Sequence, residues 1–252
     1  MIEPQEQLND PENARVDDQR ESRNDAQEYS VPWKPMDNWI GIFLLVLVNI
    51  FLLLTAYFGY WENVAQSAAL VLAQLAYFIP VLVVFAYRRV SLKAIGFGMF
   101  EWSALALGCG LVIASNMIIF VHNMILIALG IETQAQEMMG IINSLDSAFW
   151  FIFVVAFLAP LVEEIFFRGF LFQGFRQRYG WVTAVLLSSA VFSAAHLSLV
   201  MLIPAFILGC VLAYMYHRTN SVWPGVILHF LINSFGVCAL YFSTKLPELI
   251  PV

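Results

Sequence analysis

The stretch that decides the fold reads Phe149-Trp150-Phe151-Ile152-Phe153-Val154-Val155-Ala156-Phe157-Leu158-Ala159-Pro160-Leu161-Val162-Glu163-Glu164-Ile165-Phe166-Phe167-Arg168-Gly169. An apolar run of membrane-spanning character leads straight into two adjacent glutamates, with an arginine four residues beyond the second. An ionised carboxylate near the bilayer centre costs about 2.5 kcal/mol or more, so an intramembrane acid reads by default as part of a functional site.

The surrounding composition fits that reading. The chain has 252 residues, 61% of them hydrophobic and 12% charged, with a mean hydropathy of +0.77. Soluble domains are about half apolar and one-quarter charged. Apolar runs of spanning length, about 20 residues, fall at 39–60, 64–87, 103–129, 147–173, 181–197, 200–216 and 222–243. The expected fold is all-α, a polytopic transmembrane helical bundle of about seven spans, with six to eight as the range. The fifth and sixth runs are short, and a tight helical hairpin turning inside the protein around 197–204 is an alternative.

The net charge of -6 resides wholly in residues 1–38, which hold ten acids and four bases. With few large apolar residues before Tyr29, this segment reads as a disordered acidic tail. The transmembrane domain is expected over 39–252, its chemistry concentrated at about 147–240. Cys109, Cys210 and Cys238 lie in apolar runs without metal-ligand spacing, so neither a disulfide nor a cysteine metal site is expected. No basic stripe is present, which argues against a nucleic-acid partner.

Basic residues give the topology, because cytoplasmic loops are enriched in Lys and Arg. Arg88, Arg89 and Lys93 follow the second run, Arg176 and Arg178 the fourth, and Arg218 the sixth. The loops after runs one and three contain none. A cytoplasmic N-terminus with seven spans leaves only Lys245 outside. Residues 131–145 are mildly amphipathic, with Met138, Ile142 and Leu145 at helical spacing. They are expected as an interfacial helix or a covering loop. Ala104 with Gly108 and Ala106 with Gly110, each four apart, suit close helix packing.

Helix geometry divides the polar residues. Neighbours point about 100° apart, whereas i and i+4 share a face. Glu164 and Arg168 should therefore pair and act structurally. Glu163 should face elsewhere, towards a cavity, free to transfer protons. Pro160 removes a backbone hydrogen bond one turn earlier and is expected to kink the helix. His196 ends Phe192-Ser193-Ala194-Ala195-His196, and His229 and Asn233 project from one face of His229-Phe230-Leu231-Ile232-Asn233. A carboxylate with a histidine suits activation of water, and His and Asn suit donation to a developing oxyanion. These groups reach a common depth only if the fifth helix tilts or starts proud of the membrane. His122, Asn116, Asn49 and His217 read as packing residues.

Taken in order, Glu163-Glu164-Ile165-Phe166-Phe167-Arg168, Phe192-x-x-x-His196 and His229-x-x-x-Asn233 resemble the CAAX protease and bacteriocin-processing family, also called the Abi family. The resemblance covers 147–240. It implies an intramembrane endopeptidase of CAAX-box protein processing, related to type II CAAX prenyl proteases. Glu163 and His196 would activate water, and His229 and Asn233 would stabilise the oxyanion. The implied partners are the bilayer and a membrane protein or peptide, lipidated in the eukaryotic members, at the cell membrane. A metal-free mechanism without cofactor is the expectation. The alternatives are a zinc-dependent metalloendopeptidase, with Glu163, Glu164, His196 and His229 as ligands, and a non-catalytic membrane protein serving bacteriocin immunity, partner binding or transport.

Overall fold

The computed structural model describes residues 30–60, 66–144 and 148–249. Among these, all regular structure is helical, and six helices are long and apolar enough to cross a membrane: Pro35–Tyr57, Ala68–Arg88, Ser103–Ala128, Phe149–Ala195, Leu202–Thr219 and Trp223–Phe242. The chain is a polytopic helical membrane protein.

The fourth of these helices has 47 residues. Straight, it would run about 70 Å, more than twice the hydrocarbon thickness. It is instead broken at Gly180, whose φ of 77° and ψ of 168° lie in a region essentially reserved for glycine. The chain folds back there, bringing the Phe192 ring within 5.0 Å of Phe167. On a straight helix those rings would stand about 37 Å apart. Runs 147–173 and 181–197 are thus two legs of one hairpin, which makes seven apolar legs among the described residues. The residues between those runs, expected as a loop, are helical up to the break.

We number the helices α1 (Pro35–Tyr57), α2 (Gln66–Ala76), α3 (Phe78–Arg88), α4 (Ser103–Ala128), α5 (Gln134–Ser144), α6 (Ala148–Phe153), α7 (Ala159–Glu164), α8 (Gln173–Ala195), α9 (Leu202–Thr219) and α10 (Trp223–Leu249). Two wide π turns interrupt the first hairpin leg, at Val154–Leu158 and at Ile165–Phe172. The first lies just before Pro160, whose missing N–H leaves the Ala156 carbonyl without its i+4 donor. The lost bond is thus accommodated by widening the helix, where the sequence suggested a kink. Such wide turns recur at functional sites.

The second π turn is the centre of the bundle. Phe166, Phe167, Phe170, Leu171 and Phe172 are fully buried there, as is Phe175 just beyond it, packed by α1, α3, α8 and α9. The outer helices show the reverse pattern. Phe43 and Leu54 of α1 and Ile113, Met117 and Phe120 of α4 are exposed, the apolar shell that lipid covers.

One end of the bundle gathers the basic residues. Arg88 makes a two-pronged ion pair with Asp37 at 2.8 and 2.9 Å. Arg176 donates to Asn220 Oδ1 at 3.0 Å, Gln173 to the Ala94 carbonyl at 2.9 Å, and Ser221 to the Gly98 carbonyl at 2.7 Å. Arg176 thus meets Asn220, the residue capping α9, four residues before the Gly180 turn. Residues 30–38 belong to this end too, which corrects the boundary drawn from charge. Trp33, Asp37 and Asn38 are buried, Asn38 donates to the Leu171 carbonyl, and Gln177 accepts from Val31. The rest of the acidic tail, 1–29, lies outside the described residues.

At the opposite end, 134–144 form helix α5. Its Met138 packs against Phe151 and Val237; the Ile142 and Leu145 side chains lie outside the described residues. Glu137 accepts from Ser198 Oγ at 2.9 Å. This bond ties α5 to the 196–201 turn.

Candidate active site

The site is built outward from the two glutamates. Glu164 and Arg168 form an ion pair at 3.0 Å, both side chains 1% exposed. Arg168 also donates to the Gly209 carbonyl of α9 at 3.2 Å, and its guanidinium lies 4.4 Å over the Phe192 ring. A buried ion pair is a weak source of net stability, but breaking one by removing a partner costs about 3–5 kcal/mol. Gly225 of α10 makes the close approach possible: a Cβ there would lie 2.5 Å from Glu164 Oε2.

Glu163, about 100° further round the helix, is partly open, with its side chain 14% exposed. Its Oε2 lies 3.9 Å from His229 Nε2, and its Oε1 accepts a hydrogen bond from Gln74 Nε2 at 3.3 Å. The other imidazole nitrogen, His229 Nδ1, faces Glu164 Oε1 at 3.4 Å. One buried ring thus spans both carboxylates. Asn233, one turn along α10, donates to the Val155 carbonyl at 2.9 Å, in the first π turn.

His196 stands on the second hairpin leg, 16 residues after Gly180, as Glu163 stands 17 before it. Its Nδ1 lies 2.8 Å from the Phe192 carbonyl. A carbonyl only accepts, so in the neutral ring Nδ1 carries the proton and Nε2 keeps its lone pair. His196 meets the rest of the site through Phe192, whose ring centroid is 4.8 Å from His196 and 5.8 Å from His229. Phe192 therefore lies against both histidines and the arginine. The structure brings Glu163, Glu164, Arg168 and His229 into direct contact and sets His196 and Asn233 at the margins.

Sequence reasoning missed Gln74, Tyr77 and Gly225. Tyr77 donates to the Ala195 carbonyl, immediately before His196, at 3.3 Å. Gln74 carried a signal: it is the one amide in the otherwise apolar stretch 68–87. A lone amide in lipid wants a partner. Gly225 carried one as well, standing four residues before His229 on the same face.

Zinc would need more donors than the site offers. No group of three His, Cys, Asp or Glu side chains converges among the described residues, and Arg168 occupies Glu164. Glu163 and His229 alone would leave a zinc ion short of the usual three protein ligands. The residues as arranged do not fit the metal.

An open apolar groove of about 340 Å³ lies on the bundle surface, lined by Phe149, Ile152, Phe153, Phe157, Phe230 and Ser234 among others. Phe230 and Ser234 immediately follow His229 and Asn233.

Comparison with known proteins places these motifs. Residues 145–235 match the family described as "Type II CAAX prenyl endopeptidase Rce1-like". The chain is similar to the "Putative membrane peptidase YdiL" of Bacillus subtilis, 28% identical over 43% of this chain and 44% of that protein. It is 27% identical to the "UPF0177 protein YxdF" of Lactococcus lactis, over 39% of this chain and 55% of the relative. It is 34% identical to an uncharacterized 24.3 kDa protein of Escherichia coli, over 32% of this chain and 39% of the relative. The chain thus spans about half the length, or less, of these curated relatives. No solved structure matches it.

Proposed function

We propose, from the premise that this chain belongs through residues 145–235 to the CAAX protease and bacteriocin-processing family, that it is an intramembrane glutamic endopeptidase. Membrane protease character follows from the family. The glutamate mechanism, the substrate and the orientation are our reading. The observation that carries it is the division between the two acids: Glu164 is sealed against Arg168, while Glu163 is open and faces His229.

In this reading Glu163 takes a proton from water as the oxygen attacks the scissile carbonyl. His196, its Nδ1–H held by the Phe192 carbonyl, offers Nε2 as a second acceptor for that water. His229 and Asn233 donate towards the carbonyl oxygen as negative charge develops on it. Glu163 then returns the proton to the leaving amine, so two new termini form with no net proton change. No metal is needed for these steps.

The substrate class we favour is a peptide held in the bilayer by a lipid or an apolar segment. The open apolar groove lined by Phe230 and Ser234, each one position on from His229 and Asn233, supports it, because it offers an acyl or prenyl chain an apolar surface on the helix that carries those two residues. The basic face is read as cytoplasmic, with the N-terminus on that side, because positive residues collect there.

The test is cleavage of a farnesylated peptide by the purified protein in nanodiscs. Glu163→Ala and His196→Ala are each expected to lower kcat by about 10²-fold or more, and activity should survive chelator. Full activity in both variants would sink the assignment. Loss on chelation, with return on zinc, would move the chemistry to a metal.

A further inference from the structure

The matched family region begins at residue 145, yet two contacts to the site come from the span 68–88, far upstream. Gln74 holds Glu163 Oε1, and Tyr77 holds the Ala195 carbonyl. The two stand three residues apart, so they share a helix face. Between them they reach both members of the pair proposed above to activate water, and any role for them in the reaction rests on that proposal.

Each contact addresses a group that is otherwise loose. Glu163 has three rotatable side-chain bonds, and His229 at 3.9 Å is beyond hydrogen-bond distance. Gln74 is the hydrogen-bond donor Glu163 has among the described residues. Ala195 is the last residue of α8. Its carbonyl is one of the four at a helix end with no intrahelical donor. The next residues are His196 and then Leu197, which takes a left-handed φ of 53°, strained for a side chain of this size. The Tyr77 hydroxyl satisfies the carbonyl where α8 gives way to that turn. Pro80 has no N–H to offer the Ala76 carbonyl, and the helix is interrupted at Tyr77, between α2 and α3.

We propose that Gln74 and Tyr77 are positioning residues supplied by the second span, so that residues 145–235 do not form a complete site alone. Gln74 fixes the rotamer of the general base, and Tyr77 fixes the backbone from which His196 projects.

The experiment has two arms on the full chain. In the first, Gln74→Met (similar in length, without a donor) and Tyr77→Phe (without the hydroxyl) are assayed with the farnesylated peptide in nanodiscs. Gln74→Met should lower kcat about tenfold with KM within about twofold, and Tyr77→Phe about threefold, both in the range of a single positioned hydrogen bond. Melting temperatures should stay at the parent value. In a Glu163→Ala background, Gln74→Met should cost nothing further. An unchanged kcat, a change in KM alone, or a full additional loss in the Glu163→Ala background would overturn the role.

The second arm needs no activity. Gln74→Cys with Glu163→Cys, on a chain whose native cysteines are replaced by serine, is treated with a bis-methanethiosulfonate reagent carrying an ethylene spacer. A bridge is expected there, and none for Leu75→Cys with Glu163→Cys. Absence of the first bridge would overturn the proposal even if the variants lost activity. A parent chain that bridges but cleaves nothing would overturn the peptidase reading and leave the contact standing.

Discussion

Glu163 and Glu164 are chemically identical neighbours made different by what lies one turn away. The consequences separate on substitution. Glu163→Gln, nearly isosteric, should abolish cleavage and leave the melting temperature unchanged. Arg168→Ala strands a buried carboxylate. It should cost about 3–5 kcal/mol of stability, read as a large fall in melting temperature. Glu164→Gln with Arg168→Met should recover part of that loss, because a neutral pair no longer requires solvation. Phe192 carries the same dependence beyond the acids. Its ring contacts Arg168, His196 and His229, so Phe192→Ala should lower stability by about 3–5 kcal/mol through the cavity alone. Phe192→Leu should lose less stability and still lose activity, as the histidines lose the ring they lie against. The i,i+4 relation made the Glu164–Arg168 pair readable from sequence, since helix geometry is local. The Glu164–His229 approach and the Gln74 bond were not readable. Both join residues more than sixty positions apart, and nothing local specifies which apolar helices will be neighbours.

At the scale of elements, helix interruptions place the site. The π turn before Pro160 carries the Val155 carbonyl to Asn233, and the interruption of the second span falls at Tyr77 itself. A proline in a spanning run is visible in the sequence; whether the helix kinks or widens depends on its neighbours. The stretch 173–180 misled for a related reason. Its glutamines and arginines look like loop residues, yet the stretch is helical, and three of the four find a tertiary partner: Gln173 at Ala94, Arg176 at Asn220, Gln177 at Val31. Gly225→Ala should press a methyl onto Glu164 and reduce both stability and activity, whereas Gly236→Ala on the same helix, with open space around it, should be silent. Circular dichroism melts of the two variants would separate them.

For the whole molecule, the hydrophobicity pattern gave the bundle and its basic face, since lipid demands helices of known length and loops of known charge. The hairpin about Gly180 was half legible: two runs were visible, their continuity was not. A Cβ at Gly180 would meet nothing within 4 Å, so Gly180→Ala tests backbone conformation without a clash. It should cost about 1–3 kcal/mol through its forced φ and ψ, measured by thermal unfolding in detergent.

The same hairpin sets a rule about length. Glu163 and His196 hang 17 and 16 residues from one pivot, so the two legs work like the arms of a caliper. Adding one residue to a single arm would raise its tip by about 1.5 Å and swing it about 100°, carrying one jaw out of line with the other. Insertions in the exposed turn itself would leave both arms their length. Chains built on this plan should therefore tolerate added length at the turn and hold the count between pivot and jaw fixed on either side.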